Sequence, residues 1–187
     1  LAGAGAGKTK VLTNRVKSLL GQLKSNEDCM AVITYTNAAA DELRNRINIY
    51  SDKRCFIGTV HQLAKTMLEK NLPVDRPIKI LDQYESIRKL SQLANIEFKE
   101  AKLIIKCISE NKELSKEQAV QYDWLLDYMS KFYMATFDSL LGLALIESEK
   151  GRLQVPQYIL VDEYQDSKPN QIALFLSLCS QGSIINV

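Results

Sequence analysis

The sequence has few of the residues that form metal centres or covalent cross-links. It contains one histidine, His61, and four cysteines that stand far apart with no C-x-x-C pair: Cys29, Cys55, Cys107 and Cys179. Such spacing argues against a zinc site and against a disulfide scaffold. It favours four buried thiols in a reducing compartment, and we therefore expect a cytoplasmic protein.

Long hydrophobic runs and a targeting signal are also lacking. No stretch approaches the roughly 18 consecutive apolar residues of a membrane-spanning helix, so we expect no membrane association. The first residues offer neither the basic region nor the apolar core of a signal peptide. With 46% hydrophobic and 25% charged residues among 187, the composition is typical of a globular protein with one domain, or with one domain and an insert.

Acidic and basic residues are distributed unevenly, although the net charge is only +2. Residues 1–70 hold 11 Lys or Arg against 6 Asp or Glu, whereas residues 71–150 hold 11 against 13 and residues 151–187 hold 2 against 3. The basic excess in the first third would suit a polyanionic partner, but a solvated helix face would give the same count.

Hydrophobic periodicity predicts alternating strands and helices in the outer parts of the sequence. Short apolar and β-branched runs predict strands at 31–36, 56–59, 158–161 and 183–187. Amphipathic spacing predicts helices at 9–23, 38–49, 61–72 and 169–179. Asn37 is the predicted cap of the second of these helices. The alternation predicts an α/β fold with a doubly wound parallel sheet.

The pattern changes in the middle of the sequence. From residue 82 to residue 150 only helical periodicity is found, with helices predicted at 82–94, 99–110, 115–133 and 137–150. We therefore expect residues 1–72 and 136–187 to form the α/β domain and residues 73–135 to form an all-helical insert.

An aromatic-rich stretch lies in the predicted insert. Trp124, Tyr128 and Phe132 follow one another at helical spacing, as do Leu125, Tyr128 and Phe132. This spacing favours a hydrophobic core stripe, with a nucleic-acid stacking platform as the alternative.

A glycine-rich segment opens the first predicted helix. In a P-loop, glycines let backbone N–H groups surround phosphate oxygens, a lysine reaches the β- and γ-phosphates, and a hydroxyl holds Mg²⁺. Lys8 and Thr9 fit the last two roles, and a flexible linker would not explain why they begin an amphipathic helix. The predicted ATP-binding residues are Ala2, Gly3, Ala4, Gly5, Ala6, Gly7, Lys8, Thr9 and Lys10.

A pair of carboxylates, Asp162 and Glu163, follows the predicted strand at 158–161. Acidic residues at the carboxyl end of a parallel strand lie where α/β sheets bind ligands. Asp162 can hold Mg²⁺, and Glu163 can accept a proton from an attacking water. An acidic turn before the helix at Pro169 is the alternative for this pair alone, but together with the P-loop the pair indicates a nucleoside triphosphatase.

Five segments, in order, resemble the motifs of UvrD/Rep/PcrA-type superfamily-one DNA helicases. They are A-G-A-G-A-G-K-T at 2–9, T-Y-T-N-A-A-A-D-E-L at 34–43, G-T-V-H-Q-L-A at 58–64, F-D-S-L-L at 137–141 and V-D-E-Y-Q-D-S at 161–167. The last string is the most specific to the family. Val60 and Gln62 stand where the family usually has phenylalanine and serine.

The resemblance implies a RecA-like P-loop lobe of an ATP-dependent 3′–5′ DNA helicase or translocase. It implies catalytic roles for Lys8, Glu163 and Gln165, and Mg²⁺ binding by Thr9 and Asp162. It also implies contacts with single-stranded DNA, or with a duplex–single-strand junction, through Tyr35, Thr36, Asn37, Thr59 and His61. Without the resemblance, Tyr35 would be read as a sheet-end packing residue. For His61, a capping or core hydrogen bond remains the alternative to a DNA contact.

The resemblance covers only the N-terminal motor region of such helicases. The strand before the P-loop and the second RecA-like lobe, with its arginine finger, are not in this sequence, so the predicted sheet is incomplete. We expect a piece of a longer protein that hydrolyses little ATP by itself, because the arginine contributes about 10³–10⁵ in rate.

Three other functions are compatible with parts of this pattern. The chain could be a non-catalytic nucleic-acid-binding or assembly module, or the motor of a helicase-nuclease subunit. A small-molecule kinase with a P-loop is the third, but the segments at 34–43 and 161–167 have no role in such an enzyme.

Overall fold

The computed structural model describes residues 7–23, 29–48, 52–71, 77–110 and 112–186. The chain divides into two units, one formed by Leu1–Leu72 with Leu143–Val187 and the other by Pro73–Gly142. The second boundary falls inside a helix, seven residues after the end of the insert predicted at 135. The assignment of functional domains to these units stays a prediction.

Within the described residues the chain forms eight α-helices and six strands. The helices are α1 (Lys8–Leu20), α2 (Asn37–Ile47), α3 (Val60–Asn71), α4 (Gln83–Ala94), α5 (Phe98–Ser109), α6 (Lys116–Lys131), α7 (Phe137–Glu149) and α8 (Pro169–Ser180). The strands are β1 (Met30–Ile33), β2 (Cys55–Gly58), β3 (Lys79–Ile80), β4 (Met134–Ala135), β5 (Tyr158–Val161) and β6 (Ile184–Asn186). No helix of the described part is both long and apolar enough to cross a membrane.

The first unit contains a four-stranded parallel sheet with the order β2-β1-β5-β6. All four residues of β1 are buried, because this strand has a neighbour on each side and apolar residues on both faces. Helices α1 and α2 cover one face. They share a core with the strands that includes Val16, Leu19, Leu43, Met30, Val32, Ile57 and Leu160. The predicted α/β fold with a parallel sheet is confirmed.

The second unit contains α4, α5 and α6. Leu90, Ile104 and Leu125 are fully buried in its core. The unit also contains a parallel ladder in which Lys79 pairs with Met134 and Ile80 with Ala135. The prediction of an all-helical insert omitted this ladder, because a strand of two residues is too short to have a periodicity.

Of the residues predicted to form a core stripe on α6, only Leu125 is buried. Trp124 is 49% exposed and Phe132 is 42% exposed, whereas Leu125 and Met129 are buried. The buried face lies one residue further along the helix. Leu125 and Met129 have the same four-residue spacing as Trp124 and Tyr128, so periodicity alone does not distinguish the two faces.

Thr36, and not the predicted Asn37, caps the start of α2. The Thr36 hydroxyl accepts a hydrogen bond from the Ala39 N–H at 3.1 Å. Thr36 has the extended backbone of a capping residue, with φ −131° and ψ 156°, and Asn37 is already the first residue of the helix. Both residue types cap helices well, so the sequence did not decide between two neighbours.

The connection from β2 to α3 is tightly packed. The Thr59 N–H donates to Gln62 Oε1 at 3.0 Å, and the Gln62 N–H donates to Thr59 Oγ1 at 3.4 Å. This reciprocal pair is a capping box. A Cβ on Gly58 would lie 2.6 Å from Gln62 Oε1 and 2.8 Å from Phe56 Cζ. Glycine is therefore required at the position where β2 leaves the sheet.

An ion-pair cluster closes the turn between α7 and β5. The buried Glu147 carboxylate accepts from Lys150 Nζ at 3.0 Å and from Arg152 Nη1 at 3.3 Å. The Lys150 hydrogen bond, more than the charge of either base, holds the pKa of Glu147 below its usual value. Gly151 has a φ of 65°, which lets the chain reverse at this turn.

Replacing Gly58 with alanine should destabilise the fold. The added methyl group must displace either the Gln62 side chain of the capping box or the Phe56 ring, and such overpacking costs about 1–3 kcal/mol. We expect a lower urea midpoint for Gly58→Ala. Gly21→Ala is the matched control, because Gly21 has a right-handed φ of −68° and its Cβ would meet the nearest atom at 3.5 Å. Equal midpoints for both variants would contradict the packing argument.

Glu147→Gln should make stability less dependent on pH. The folded-state pKa of Glu147 is lowered, so its carboxylate stabilises the fold above the unfolded-state pKa and this contribution is lost as the pH falls through the folded-state pKa. We expect the variant to lose about 1–2 kcal/mol of unfolding free energy at pH 7, with the difference vanishing in strong acid. Urea unfolding from pH 7 to pH 2 measures this difference. The exposed neighbour Glu149→Gln should show no such pH-dependent loss.

Candidate active site

The predicted site residues outside the phosphate loop and the start of α1 follow the carboxyl ends of three neighbouring strands. Ile33 at the end of β1 is in register with Gly58 of β2 and with Val161 of β5. The pairing continues one residue further, since the Thr34 N–H donates to the Gly58 carbonyl and the Asp162 N–H to the Ile33 carbonyl, both at 2.9 Å. The acidic pair and the segments at 34–37 and 59–62 therefore lie at the same edge of one sheet.

The acidic turn after β5 has a strained and braced backbone. Glu163 has φ 52° and ψ 45°, the left-handed conformation that costs a non-glycine residue about 1 kcal/mol or more. The Asp166 N–H donates to the Glu163 carbonyl at 2.9 Å, which closes the short 3₁₀ helix Tyr164–Asp166. The Tyr164 ring lies 6.2 Å from the Phe175 ring of α8, so the turn is held against that helix.

The Glu163 carboxylate has a defined partner. Gln165 Nε2 donates a hydrogen bond to Glu163 Oε2. The sequence predicted a role for both residues but not this contact, because a two-residue separation in an irregular turn has no pattern that fixes side-chain direction. Asp162 is half-buried at the strand end, next to the ladder hydrogen bond of its own N–H.

The start of α1 has an unusual charge distribution. Lys8 and Lys10 lie in its first turn, no acidic residue does, and no side chain among the described residues caps it. A cation at a helix N-terminus is unfavourable by about 0.3–1 kcal/mol, because the free N–H groups already carry partial positive charge. Helices α2, α4 and α6, in contrast, begin at the side-chain caps Thr36, Asp82 and Ser115. The first turn of α1 thus suits an anion such as a phosphate.

Part of the predicted phosphate loop cannot be compared with the structure. Ala2, Gly3, Ala4, Gly5, Ala6 and the Lys8 side chain lie outside the described residues. Gly7 is the last residue before α1, and the Val11 N–H donates to its carbonyl at 3.0 Å. Thr9 is half-buried, and its carbonyl accepts from the Thr13 hydroxyl at 2.7 Å.

The donors predicted for a metal fit Mg²⁺. Thr9 supplies a hydroxyl oxygen and Asp162 a carboxylate oxygen, which are the hard ligands that Mg²⁺ prefers. Among the residues that the structure describes, no three His, Cys, Asp or Glu side chains form a cluster that could enclose a metal ion. Few protein ligands suit Mg²⁺, since this ion commonly keeps several waters and takes its other ligands from substrate phosphates.

The residues predicted to contact DNA differ in their exposure and in the hydrogen bonds that they already form. Tyr35 is 55% exposed at the end of β1, which disfavours the alternative of a sheet-end packing residue. Asn37 is exposed in the first turn of α2. The Thr36 hydroxyl is already used as the cap, and the Thr34 hydroxyl donates to the Thr36 carbonyl at 3.1 Å. The segment is therefore a rigid turn that carries an exposed ring.

The second predicted DNA segment starts α3. Thr59 is half-buried within the capping box, and His61 is half-buried one residue into the helix. Gln62 was noted only as a departure from the family pattern, but it is the residue that orders this turn. The T-x-x-Q spacing of a capping box was the signal that could have identified it.

Arg44 is a further residue that the sequence analysis missed. Its guanidinium donates from α2 to the Ile57 carbonyl of β2 and pairs with Asp41 at 2.5 Å. It thereby connects the segment after β1 with the end of β2. No local pattern identifies such a contact, because the two partners are 13 residues apart.

Comparisons with known proteins agree with these features. A family model described as the UvrD/REP helicase N-terminal domain matches residues 1–187. The chain is 29% identical over 215 residues to the ATP-dependent DNA helicase Rep of Buchnera aphidicola subsp. Acyrthosiphon pisum, a match that covers 98% of this chain and 33% of that protein. It is 29% identical over 213 residues to the ATP-dependent DNA helicase PcrA of Staphylococcus aureus, covering 97% and 29%.

A shorter match has a higher identity. The chain is 39% identical over 101 residues to DNA helicase II of Salmonella typhimurium, covering 50% of this chain and 14% of that protein. The chain spans about a third of the length of Rep and PcrA. Since the family model matches the sequence from end to end, the chain belongs to the UvrD/REP helicase N-terminal domain family.

Proposed function

We propose that this chain is the ATP-binding half of an ATP-dependent DNA helicase or translocase that moves 3′ to 5′ on single-stranded DNA. The observation that carries the proposal is the shared sheet edge. The carboxylates suited to ATP chemistry follow β5, and the exposed ring of Tyr35 follows β1, its hydrogen-bonded neighbour. The names of the relatives, all DNA helicases, support the same activity.

On the ATP side, we assign the phosphates to the loop at 2–7, to Lys8 and to the uncapped first turn of α1, with Lys10 adding positive charge. Thr9 and Asp162 would hold Mg²⁺, which supplies positive charge to the β- and γ-phosphate oxygens. Glu163 accepts a proton from the attacking water, and the hydrogen bond from Gln165 orients its carboxylate for this transfer.

On the DNA side, Tyr35 stacks on a base and the polar groups of Thr36, Asn37, Thr59 and His61 contact phosphates. One backbone hydrogen bond, from the Asp162 N–H to the Ile33 carbonyl, joins β1 to the ATP side, and the bond from the Thr34 N–H to the Gly58 carbonyl joins the two DNA segments to each other. A shift of the acidic turn during the ATP cycle would therefore act directly on the strand that carries Tyr35. A duplex–single-strand junction is the proposed substrate of the whole protein.

The proposal includes a second RecA-like lobe of the same parent protein as the partner of this chain. That lobe would supply the arginine that neutralises the transferred phosphoryl group. The wide spacing of the four cysteines in the sequence is the basis for the proposed cytoplasmic location.

ATP hydrolysis should require both the second lobe and Glu163. We expect this chain alone to show no turnover stimulated by single-stranded DNA, and we expect a parent protein with both lobes to show it. In the parent, Glu163→Gln should lower kcat by about 10²–10⁴, because the general base is lost while the phosphate contacts remain. Lys8→Ala should abolish ATP binding, and Glu149→Gln is the control for removing a carboxylate elsewhere.

Steady-state phosphate release with and without oligo-dT measures these rates. DNA-stimulated turnover by the isolated chain that Lys8→Ala abolishes would contradict the half-motor proposal, since a second copy would then supply the missing charge. Full turnover by the Glu163→Gln parent would contradict the assigned base.

Single-stranded DNA binding should depend on the ring of Tyr35. Stacking of a base on an aromatic side chain contributes about 1–3 kcal/mol, so Tyr35→Ala should weaken binding of the parent protein to labelled oligo-dT by about 5- to 150-fold. Tyr35→Phe keeps the ring and should bind as the unchanged protein does. Tyr84→Ala removes an equally exposed ring, 62% against 55%, from the other unit and is the control. Fluorescence anisotropy measures the affinities, and equal affinity for Tyr35→Ala and Tyr35→Phe would contradict the stacking role.

A further inference from the structure

A cavity lies at the end of the sheet opposite to the candidate active site. It has a volume of about 420 Å³ and is formed where β1 and β2 begin and where α3 ends. Its wall includes Phe56, Leu63, Met67 and Pro156, and Lys53 and Lys70 also line it. Small-molecule sites commonly measure about 300–1,000 Å³ and combine an apolar wall with a few polar groups, and this cavity matches both features.

Among the residues that the structure describes, the charged groups lining this cavity are basic. Lys53 and Lys70 are exposed, and neither forms an ion pair with any described residue. Arg54 also lines the cavity, but it is paired with Asp52 at 2.8 Å, and the hydrogen bond from Arg54 lowers the pKa of that carboxyl group. No Asp or Glu occurs among the described lining residues.

The Cys55 thiol, which also lines the cavity, does not offset the positive charge of the lysines. Burial raises the pKa of Cys55 to about 12, so its sulfur stays neutral at physiological pH and adds no negative charge. The cavity therefore offers two unpaired cations beside an apolar wall. A cation or a fully polar ligand would gain nothing from that combination, whereas an anion with an apolar body would use both parts.

We propose that this cavity is a binding site for a small amphipathic anion, a ligand with an aromatic or branched aliphatic body and one carboxylate, sulfonate or phosphate group. Phe56, Leu63 and Met67 would contact the apolar body, and Lys53 and Lys70 would attract the anionic group. The site is distinct from the proposed ATP and DNA sites, and it does not rest on the helicase proposal.

The position of the cavity separates it from the motor chemistry. Four-residue strands rise about 13 Å, so the beginnings of β1 and β2 are about that far from the edge that carries Asp162 and Tyr35. A ligand in the cavity should therefore not compete with ATP. It would contact the same two strands at their other end, which makes it a candidate effector of the motor.

The test uses the fluorescent probe 1-anilinonaphthalene-8-sulfonate, an aromatic anion, and the neutral analogue N-phenyl-1-naphthylamine. We expect saturable one-to-one binding of the anionic probe to this chain, unaffected by MgATP. The variant Lys53→Gln/Lys70→Gln should weaken binding of the anionic probe by about tenfold and leave binding of the neutral analogue unchanged. Lys17→Gln/Lys116→Gln changes the net charge equally at exposed sites outside the cavity and is the matched control.

A second variant tests the apolar part without changing charge. Thr66 is half-buried and lines the cavity, so Thr66→Phe should fill it and weaken both probes. Thermal unfolding by circular dichroism checks that each variant is folded. The proposal is overturned if the two double-lysine variants bind the anionic probe equally, if MgATP displaces the probe, or if a folded Thr66→Phe binds both probes as before.

Discussion

The parallel pairing of β1 with β2 on one side and with β5 on the other determines how the candidate site is assembled. Because Ile33 is in register with both Gly58 and Val161, the residues that follow the three strands leave the sheet at the same level. The buried faces of β1 fix this register, since a slip of one residue would turn its core side chains to the opposite faces. The site thus depends on a core that contains none of its functional groups.

Several features of the site destabilise the fold locally, and the packing of the core offsets this loss of stability. Glu163 adopts a left-handed backbone, and the first turn of α1 holds two lysines without an acidic residue or a side-chain cap. Helices with no predicted ligand at their start are not uniform: α5 and α8 also lack a side-chain cap hydrogen bond, whereas α4 and α6 have one. Both α4 and α6 begin with complete capping boxes. The strained backbone of Glu163 lies at the edge where the predicted chemistry takes place, although Asn48, Asn95 and Tyr133 also have positive φ outside it.

The helices and strands that the sequence predicted end within three residues of those in the structure. Long amphipathic helices and buried strands could be located in this way because they have clear periodicities. The sequence did not identify the cap of α2, because Thr36 and Asn37 are both good capping residues. It did not identify the buried face of α6, because two faces of that helix carry apolar residues at the same spacing. It also missed contacts between distant residues. The hydrogen bond from Arg44 to the Ile57 carbonyl forms only in the folded chain. The same holds for the position of Lys53 and Lys70 at one cavity.

The start of α1 also makes the stability of this lobe conditional on its surroundings. Its first turn has two lysines in sequence, no acidic residue and no side-chain cap, so an anion bound there would stabilise the helix. An anion that bound only the folded state would raise the free energy of unfolding as its concentration increased, according to mass action. Under the proposed function that anion is a nucleotide, so the nucleotide concentration would be one of the determinants of the stability of this lobe.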